Sequence, residues 1–159
     1  MTTDNEPAGP KAEAIQHFKD GLYCAESVVL TLARRQGIDS PQLPAIATGF
    51  CSGLSQTAGP CGALTGAVMG IGLALGRETG KDSAGQTYQA VRTLVQRFTE
   101  EFGSTGCVDL LGCHLGTPEG AAGFTEGKLY RRCMIYTGRA AEIAVEIIGQ
   151  AEANGEAGQ

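Results

Sequence analysis

A chain of 159 residues, 42% hydrophobic and 18% charged, has the composition of a globular protein and fits a single domain. The formal net charge is −5 and no stripe of lysine and arginine is present, which argues against binding to nucleic acid or to an anionic membrane surface. Residues 1–10 are polar and acidic and lack the basic start and apolar run of a secretory signal, so the sequence predicts a cytoplasmic location.

Both ends of the chain are predicted to be disordered. Residues 1–10 form a polar lead, and residues 151–159 form a tail rich in Ala, Gly and Glu. No linker long enough to divide domains lies between them. Residues 11–150 are therefore predicted to be one helical domain that contains every cysteine.

The first part of this domain is predicted to be helical, with breaks. Apolar spacing indicates one helix from Lys11 to Phe18 and a second from Ala25 to Arg35. Ser40-Pro41 then starts a short helix. Residues 49–59, which contain several Gly, Ser and Thr, are predicted to be an irregular loop that holds Cys51.

Residues 61–76 are apolar or glycine at every position except Thr65, yet they are fewer than the roughly 20 residues of a membrane span. Gly62, Gly66 and Gly70 recur every four residues and share one face of a helix. Because glycine inside a helix costs about 1 kcal/mol relative to alanine, this stripe predicts a buried central helix that another backbone approaches closely. A homodimer packed on this face is compatible with the pattern.

The second part of the domain is predicted to contain two longer helices. The first runs from Asp82 to Phe102, and its inward residues are predicted to be Tyr88, Val91, Leu94, Val95 and Phe98. A helical turn at residues 107–111 and a loop through residues 112–120 follow. The last helix runs from Lys128 to Gly149 and carries Ile135 among its apolar residues. No segment alternates with period two, so the predicted fold is all-α, a bundle of five or six helices around the Gly-rich helix.

Six cysteines are distributed over the predicted helices and loops: Cys24, Cys51, Cys61, Cys107, Cys113 and Cys133. They form no Cys-x-x-Cys pair, which excludes a thioredoxin-type motif and a zinc ribbon. Their spacing lets thiols from several helices converge on one point of a bundle. In the cytoplasm, so many cysteines favour redox or metal chemistry over structural disulfides. The alternative for any single one is inert packing, because free cysteine is often buried.

Three of the cysteines have neighbours that can lower a thiol pKa. Cys61 follows Gly59-Pro60 at the start of the Gly-rich helix, and Cys107 has a similar position after Gly106. At a helix N-terminus the free N–H groups and the positive end of the dipole favour a thiolate. Cys133 follows Arg131-Arg132, which would act in the same direction if they faced the thiol, although a solvated helix face is the simpler interpretation of this pair.

The segments around four of the cysteines resemble those of a known protein family. The segments are Gly21-Leu22-Tyr23-Cys24-Ala25-Glu26-Ser27-Val28, Cys61-Gly62-Ala63-Leu64-Thr65-Gly66-Ala67, Phe102-Gly103-Ser104-Thr105-Gly106-Cys107-Val108-Asp109-Leu110-Leu111-Gly112, and Cys133 in the last helix. In this order the chain resembles the C_GCAxxG_C_C family, small helical proteins of bacteria and archaea to which redox activity is ascribed. The resemblance extends from Gly21 to Ile148. It implies that Cys24, Cys61, Cys107 and Cys133 are the site residues, whereas Cys51 and Cys113 lie outside the named pattern.

Redox chemistry is the first of three hypotheses for the function. The four cysteines of the pattern would act in thiol–disulfide exchange or electron transfer, as in an oxidoreductase, with an unidentified electron donor or acceptor. A thiolate of low pKa, such as Cys61 or Cys107, would react first, and a second cysteine of the pattern would resolve the product.

The other two hypotheses give the same cysteines different roles. In the second, Cys24, Cys61, Cys107 and Cys133 are ligands of a metal ion or an iron–sulfur cluster, for which four thiolates are the usual number. The alternative ligands are Cys51, Cys113 and His114. In the third, the protein is a non-catalytic helical interaction module, and its cysteines are only buried.

Overall fold

The computed structural model describes residues 8–158, and regular structure in this range is helical apart from one isolated β-bridge. The elements are α1 (Pro10–Lys19), α2 (Cys24–Arg35), α3 (Gln42–Ala47), a 3₁₀ turn (Thr48–Phe50), α4 (Cys51–Gln56), α5 (Gly62–Leu75), α6 (Gly85–Phe102), α7 (Cys107–Leu111), α8 (Pro118–Thr125) and α9 (Lys128–Ala157). The all-α prediction is confirmed. Helices of ten residues or more, namely α1, α2, α5, α6 and α9, correspond to the predicted bundle, and the shorter ones connect them.

Helix α5 lies at the centre and packs against α2, α6 and α9. Its glycine face lies on α2: a Cβ added at Gly66 would stand 2.6 Å from the carbonyl oxygen of Ala25, and one at Gly70 would overlap the side chain of Leu32. The predicted buried Gly-rich helix is confirmed. Because α2 of the same chain covers this face, the stripe is not available to a second copy of the protein.

The long helices α6 and α9 pack against each other through a narrow stripe. In α6 the buried residues are Ala90, Leu94 and Phe98, which are spaced by four. Tyr88 is 63% exposed, because it lies two residues before Ala90 and so about 200° around the helix. Its predicted inward position is wrong. Val95 on α6 and Ile135 on α9 are 36% and 53% exposed. Both lie beside the buried face of their helix and not within it.

The helix boundaries differ from the sequence predictions mainly near the C-terminus. Helix α9 continues through residues 151–157, for which the sequence predicts disorder, since alanine and glutamate there are good helix formers. Helix α8 occupies part of a predicted loop: the Thr117 hydroxyl accepts a hydrogen bond from the Gly120 N–H, and Pro118 takes the first helical position. Most of the predicted lead at residues 1–10 lies outside the described residues.

The helices of residues 8–158 differ widely in length and polarity. None of them combines the length and the apolar character that a membrane span requires.

Candidate functional site

A buried cavity lies where the first turns of α2, α5 and α7 meet α4 and α9. Its volume is about 20 Å³, enough for roughly one water molecule. The lining residues, which include all four cysteines of the family pattern, are Phe18, Tyr23, Cys24, Ser52, Gly53, Cys61, Gly62, Cys107, Leu110, Leu111, Leu115, Phe124, Cys133 and Tyr136. We call this cavity the cysteine chamber. It brings together four predicted site residues that are far apart in the sequence.

An antiparallel β-bridge between Pro60 and Gly106 joins two segments of the chamber wall. The Cys61 N–H donates to the Thr105 carbonyl at 2.7 Å, and the Cys107 N–H donates to the Gly59 carbonyl at 3.0 Å. Pro60 occupies a position without its own ladder hydrogen bond, so its missing N–H costs nothing. The bridge thereby places two cysteines, one at the start of α5 and one at the start of α7, beside the same cavity.

Burial raises the pKa of three chamber thiols, those of Cys61, Cys107 and Cys133. It raises the pKa of Cys61 to about 11, and the nearness of Cys107 adds to the rise. The N–H groups of Ala63 and Leu64 favour the thiolate of Cys61, although its side chain makes no regular capping hydrogen bond with them. Burial also raises the pKa of Cys107. The predicted lowering of the pKa at Cys61 and Cys107 is therefore wrong, because desolvation of the thiolate outweighs the helix dipole.

Cys133 enters the chamber from α9 and is similarly held in its protonated form. Burial, and then the nearness of Cys61 and Cys107, raise its pKa to about 12. The neighbouring Arg132 does not contribute to the pKa of Cys133; its guanidinium donates to the Leu111 carbonyl at 2.8 Å, at the end of α7. Arg131 is exposed, as expected for a solvated helix face.

Cys51 contacts Cys24, which the sequence did not predict. A hydrogen bond between the two side chains is the main cause that raises the pKa of Cys51, followed by burial. Cys51 is 3% exposed, and its thiol also lies 3.6 Å from the Ala47 carbonyl. Gly62 makes room for this pair: a Cβ there would overlap the Cys24 sulfur and stand 3.1 Å from the Cys51 Cα.

The chain after Cys51 is wound in the left-handed sense. In α4, Ser52, Gly53, Leu54 and Ser55 have φ between 52° and 65°, which costs about 1–2 kcal/mol for each residue other than glycine. Glycine is required at position 53 for two reasons. Its φ of +65° disfavours a side chain, and a Cβ at Gly53 would stand 2.6 Å from the Cys107 Cβ. The predicted irregular loop is thus a left-handed turn that forms one wall of the chamber.

A buried carboxylate fixes the approach to this turn. Glu26, 8% exposed, accepts a hydrogen bond from the Tyr23 N–H at 2.8 Å and one from the Thr48 hydroxyl at 2.6 Å. The first contact closes the N-terminus of α2, and the second ties the 3₁₀ turn that precedes Cys51 to the same place. Glu26 stands three residues after the helix cap, a spacing that signals this role in the sequence.

Two of the three alternative ligands lie elsewhere. Cys113 and His114 do not line the chamber; Cys113 packs beside Leu111 and Leu115, and the Nδ1 atom of His114 accepts a hydrogen bond from the Gly116 N–H at 2.9 Å. Among the residues that the structure describes, no three Cys, His, Asp or Glu side chains are arranged to hold a metal ion.

A surface pocket of about 180 Å³ adjoins the chamber, and we call it the outer pocket. Tyr23, Ser52, Leu115 and Phe124 line both spaces and so form the wall between them. The remaining lining residues of the outer pocket are Gln56, Ala121 and Thr125. Within residues 8–158, no charged side chain lines either space.

An all-α fold that closes around four thiols, three of them buried and one half-buried, defines a class of small helical cysteine proteins. The family model described as "Putative redox-active protein (C_GCAxxG_C_C)" matches residues 22–147. The chain belongs to this family, which confirms the resemblance. No curated protein and no solved structure matches the chain at a significant level.

Proposed function

We propose that the protein carries out thiol–disulfide exchange in the cysteine chamber, with Cys24, Cys61, Cys107 and Cys133 as its redox-active residues. Two protein thiols reduce a disulfide substrate: they become a protein disulfide, and the substrate leaves as two thiols that carry the two protons. The reverse reaction, with a dithiol donor, restores the reduced protein.

One observation carries this proposal. Four cysteines that come from α2, α5, α7 and α9 line a single buried cavity. Inert packing would leave such residues dispersed through the core, whereas exchange between thiols requires them to be close together. The raised pKa values of Cys61 and Cys133 fit a reduced state that resists random oxidation, because the thiolate is the reactive form.

The uncharged linings of the chamber and of the outer pocket favour an uncharged substrate, and the outer pocket would hold it because the chamber has room for only about one water molecule. An ionised group would lose its hydration on entry without gaining a charged partner. The outer pocket provides a place of entry, since only four side chains separate it from the thiols. Movement of Tyr23, which is 48% exposed, would open this wall.

Binding of a metal ion or cluster is the second candidate, favoured by the four thiols on one cavity. The ligands would be Cys24, Cys61, Cys107 and Cys133. Among the described residues, their arrangement does not fit a metal ion.

The test begins with protein purified without oxygen. Thiol–disulfide chemistry predicts a colourless, metal-free sample that releases two thiopyridone molecules for each protein disulfide formed from 4,4′-dithiodipyridine, an uncharged disulfide. The doubly negative Ellman reagent should react at least tenfold more slowly with the folded protein. Replacement of Cys61 by serine should remove part of this reaction, and Cys113→Ser is the matched control outside the chamber.

Two results would contradict the proposal. Stoichiometric iron or zinc with absorption bands abolished by Cys61→Ser but not by Cys113→Ser would establish the second candidate. If the native thiols remained unreactive toward the uncharged reagent, inert packing would be the only remaining role for the cysteines.

A further inference from the structure

We propose that Cys51, outside the family pattern, is the resolving partner of Cys24, and that the two residues form a reversible disulfide beside the chamber. This inference rests on the proposed function and assigns two residues to its chemistry. It concerns a side chain that the sequence suggests only as an alternative metal ligand.

The geometry of the pair is the first argument. The sulfur of Cys24 and the Cα of Cys51 both lie against Gly62, at 2.4 Å and 3.1 Å from the point that a Cβ of this residue would occupy. The side chain of Cys24 is also the main cause of the raised pKa of Cys51. A disulfide needs Cα atoms roughly 4.4–6.8 Å apart, and neighbouring thiols on one glycine face are suited to this spacing.

The surroundings assign a role to each thiol. Cys24 lines the chamber, whereas Cys51 does not, so a substrate that reaches the chamber meets Cys24 before Cys51. The hydrogen bond with Cys24 keeps the proton on Cys51 by raising its pKa. Cys24 is therefore the attacking thiol, and Cys51 is held in reserve behind it.

The reaction balances in two steps. Cys24 attacks the substrate disulfide, forms a mixed disulfide and releases the first thiol with the Cys24 proton. Cys51 then attacks the Cys24 sulfur, releases the second thiol and transfers its own proton to it. The product is the Cys24–Cys51 disulfide, and the substrate has gained two electrons and two protons.

The chain around Cys51 can support this second step. Cys51 has an extended backbone, with φ −70° and ψ 163°, and stands directly between the 3₁₀ turn and the left-handed residues of α4. Glu26 holds Thr48, and the Ser55 hydroxyl donates to the Gly49 carbonyl at 2.8 Å. Contacts on both sides thus fix the position of Cys51 beside the start of α2.

The test is to map the disulfide. Reduced full-length protein receives one equivalent of 4,4′-dithiodipyridine, free thiols are blocked, and the products are digested. Trypsin leaves Cys51 and Cys61 on one peptide, because no Lys or Arg lies between them. Chymotrypsin cleaves after Leu54 and separates them. We expect the Cys24–Cys51 link to be the main product.

The Cys51→Ser and Cys51→Ala variants sharpen the result. Both should stop at the mixed disulfide, so that a thiopyridyl adduct accumulates on Cys24 at least tenfold above its wild-type level. Cys113→Ser, with a half-buried thiol elsewhere, should behave as wild type. Circular dichroism checks that each variant keeps its helices.

The outcomes separate the two proposals. A Cys24 disulfide with Cys61, Cys107 or Cys133, formed equally well in both Cys51 variants, would overturn the role of Cys51 and leave the proposed function intact. No reaction of any native thiol with the reagent would overturn both.

Discussion

Glycine serves two different needs in two regions of this molecule. On α5, Gly66 and Gly70 let the backbone and side chains of α2 approach. At the chamber, Gly53 and Gly62 make room for Cys107 and Cys24. The first region uses glycine to pack helices closely, and the second uses it to place sulfur atoms. Removing these glycines should therefore separate the stability of the fold from the chemistry of the chamber.

The largest effect on stability is expected for Gly66→Ala. Its Cβ would stand 2.6 Å from the carbonyl oxygen and 2.9 Å from the Cα of Ala25, and a backbone cannot rotate away as a side chain can. The free energy of unfolding should fall by about 3 kcal/mol, as for strong overpacking of a core. Urea denaturation measures this change, and a variant as stable as the wild type would contradict the close α2–α5 contact.

Gly53→Ala should cost less stability, about 2 kcal/mol. Its φ of +65° disfavours alanine, and the new Cβ would press on Cys107. The more informative effect is on chemistry, because displacement of this wall should make Cys107 react faster with 4,4′-dithiodipyridine. Gly103→Ala is the control: its φ is +85° with nothing within 4 Å, so its cost of about 1 kcal/mol is conformational. Unchanged Cys107 reactivity in the Gly53 variant would mean that α4 is not the wall of the chamber.

Alkaline pH should lower the free energy of unfolding, and the decrease per pH unit should be smaller than the effect of either substitution. The pKa of Cys61 is about 11 in the folded protein, against an ordinary value of 9.0. The unfolded chain therefore loses this proton first, and the stabilisation present below pH 9 is lost as the pH rises toward 11. Between these values the free energy of unfolding should fall by up to about 1.4 kcal/mol per pH unit for Cys61. Denaturation at a series of pH values measures the slope, and Cys61→Ala should reduce it; an equal slope in this variant would place the effect elsewhere.

The smallest effect is expected on the open side of α5. A Cβ added at Gly72 would meet no atom within 4 Å, so alanine there has the space it needs. Gly72→Ala should raise the free energy of unfolding by up to about 1 kcal/mol, the difference in helix propensity. Thermal unfolding would show this as a higher midpoint. A loss of stability would indicate that this side of α5 is also covered.

The sequence predicts those parts of the fold that depend on local periodicity. The glycine stripe indicates the close contact of α5, because only a packing role offsets three unfavourable residues in one helix. The N-terminus of α8 is also open to prediction, since Thr117-Pro118 is a regular helix start. Helix exposure is harder to predict: Tyr88 has a largely apolar side chain, and its position beside the buried stripe depends on where α9 lies.

The site itself could be predicted only in part. The family pattern identifies four cysteines, but it does not indicate Cys51, whose position depends on a left-handed turn. Residues such as Ser52 and Leu54 adopt positive φ only where the surrounding structure imposes it. The direction of the pKa shifts could not be predicted for the same reason, because the burial of Cys61 depends on tertiary structure. Local sequence shows the helix dipole and does not show the desolvation that exceeds it.

The bridge between Pro60 and Gly106 also affects how the protein must be made. It closes a loop that contains all of α5 and α6, a step whose entropy cost precedes any gain from the contacts that follow. Cys133 joins the chamber from a helix still further along the chain. We therefore expect the thiols to be shielded late in folding, while six free cysteines allow fifteen complete pairings. Until the chamber has formed, oxidation to a wrong pairing is expected to compete with folding.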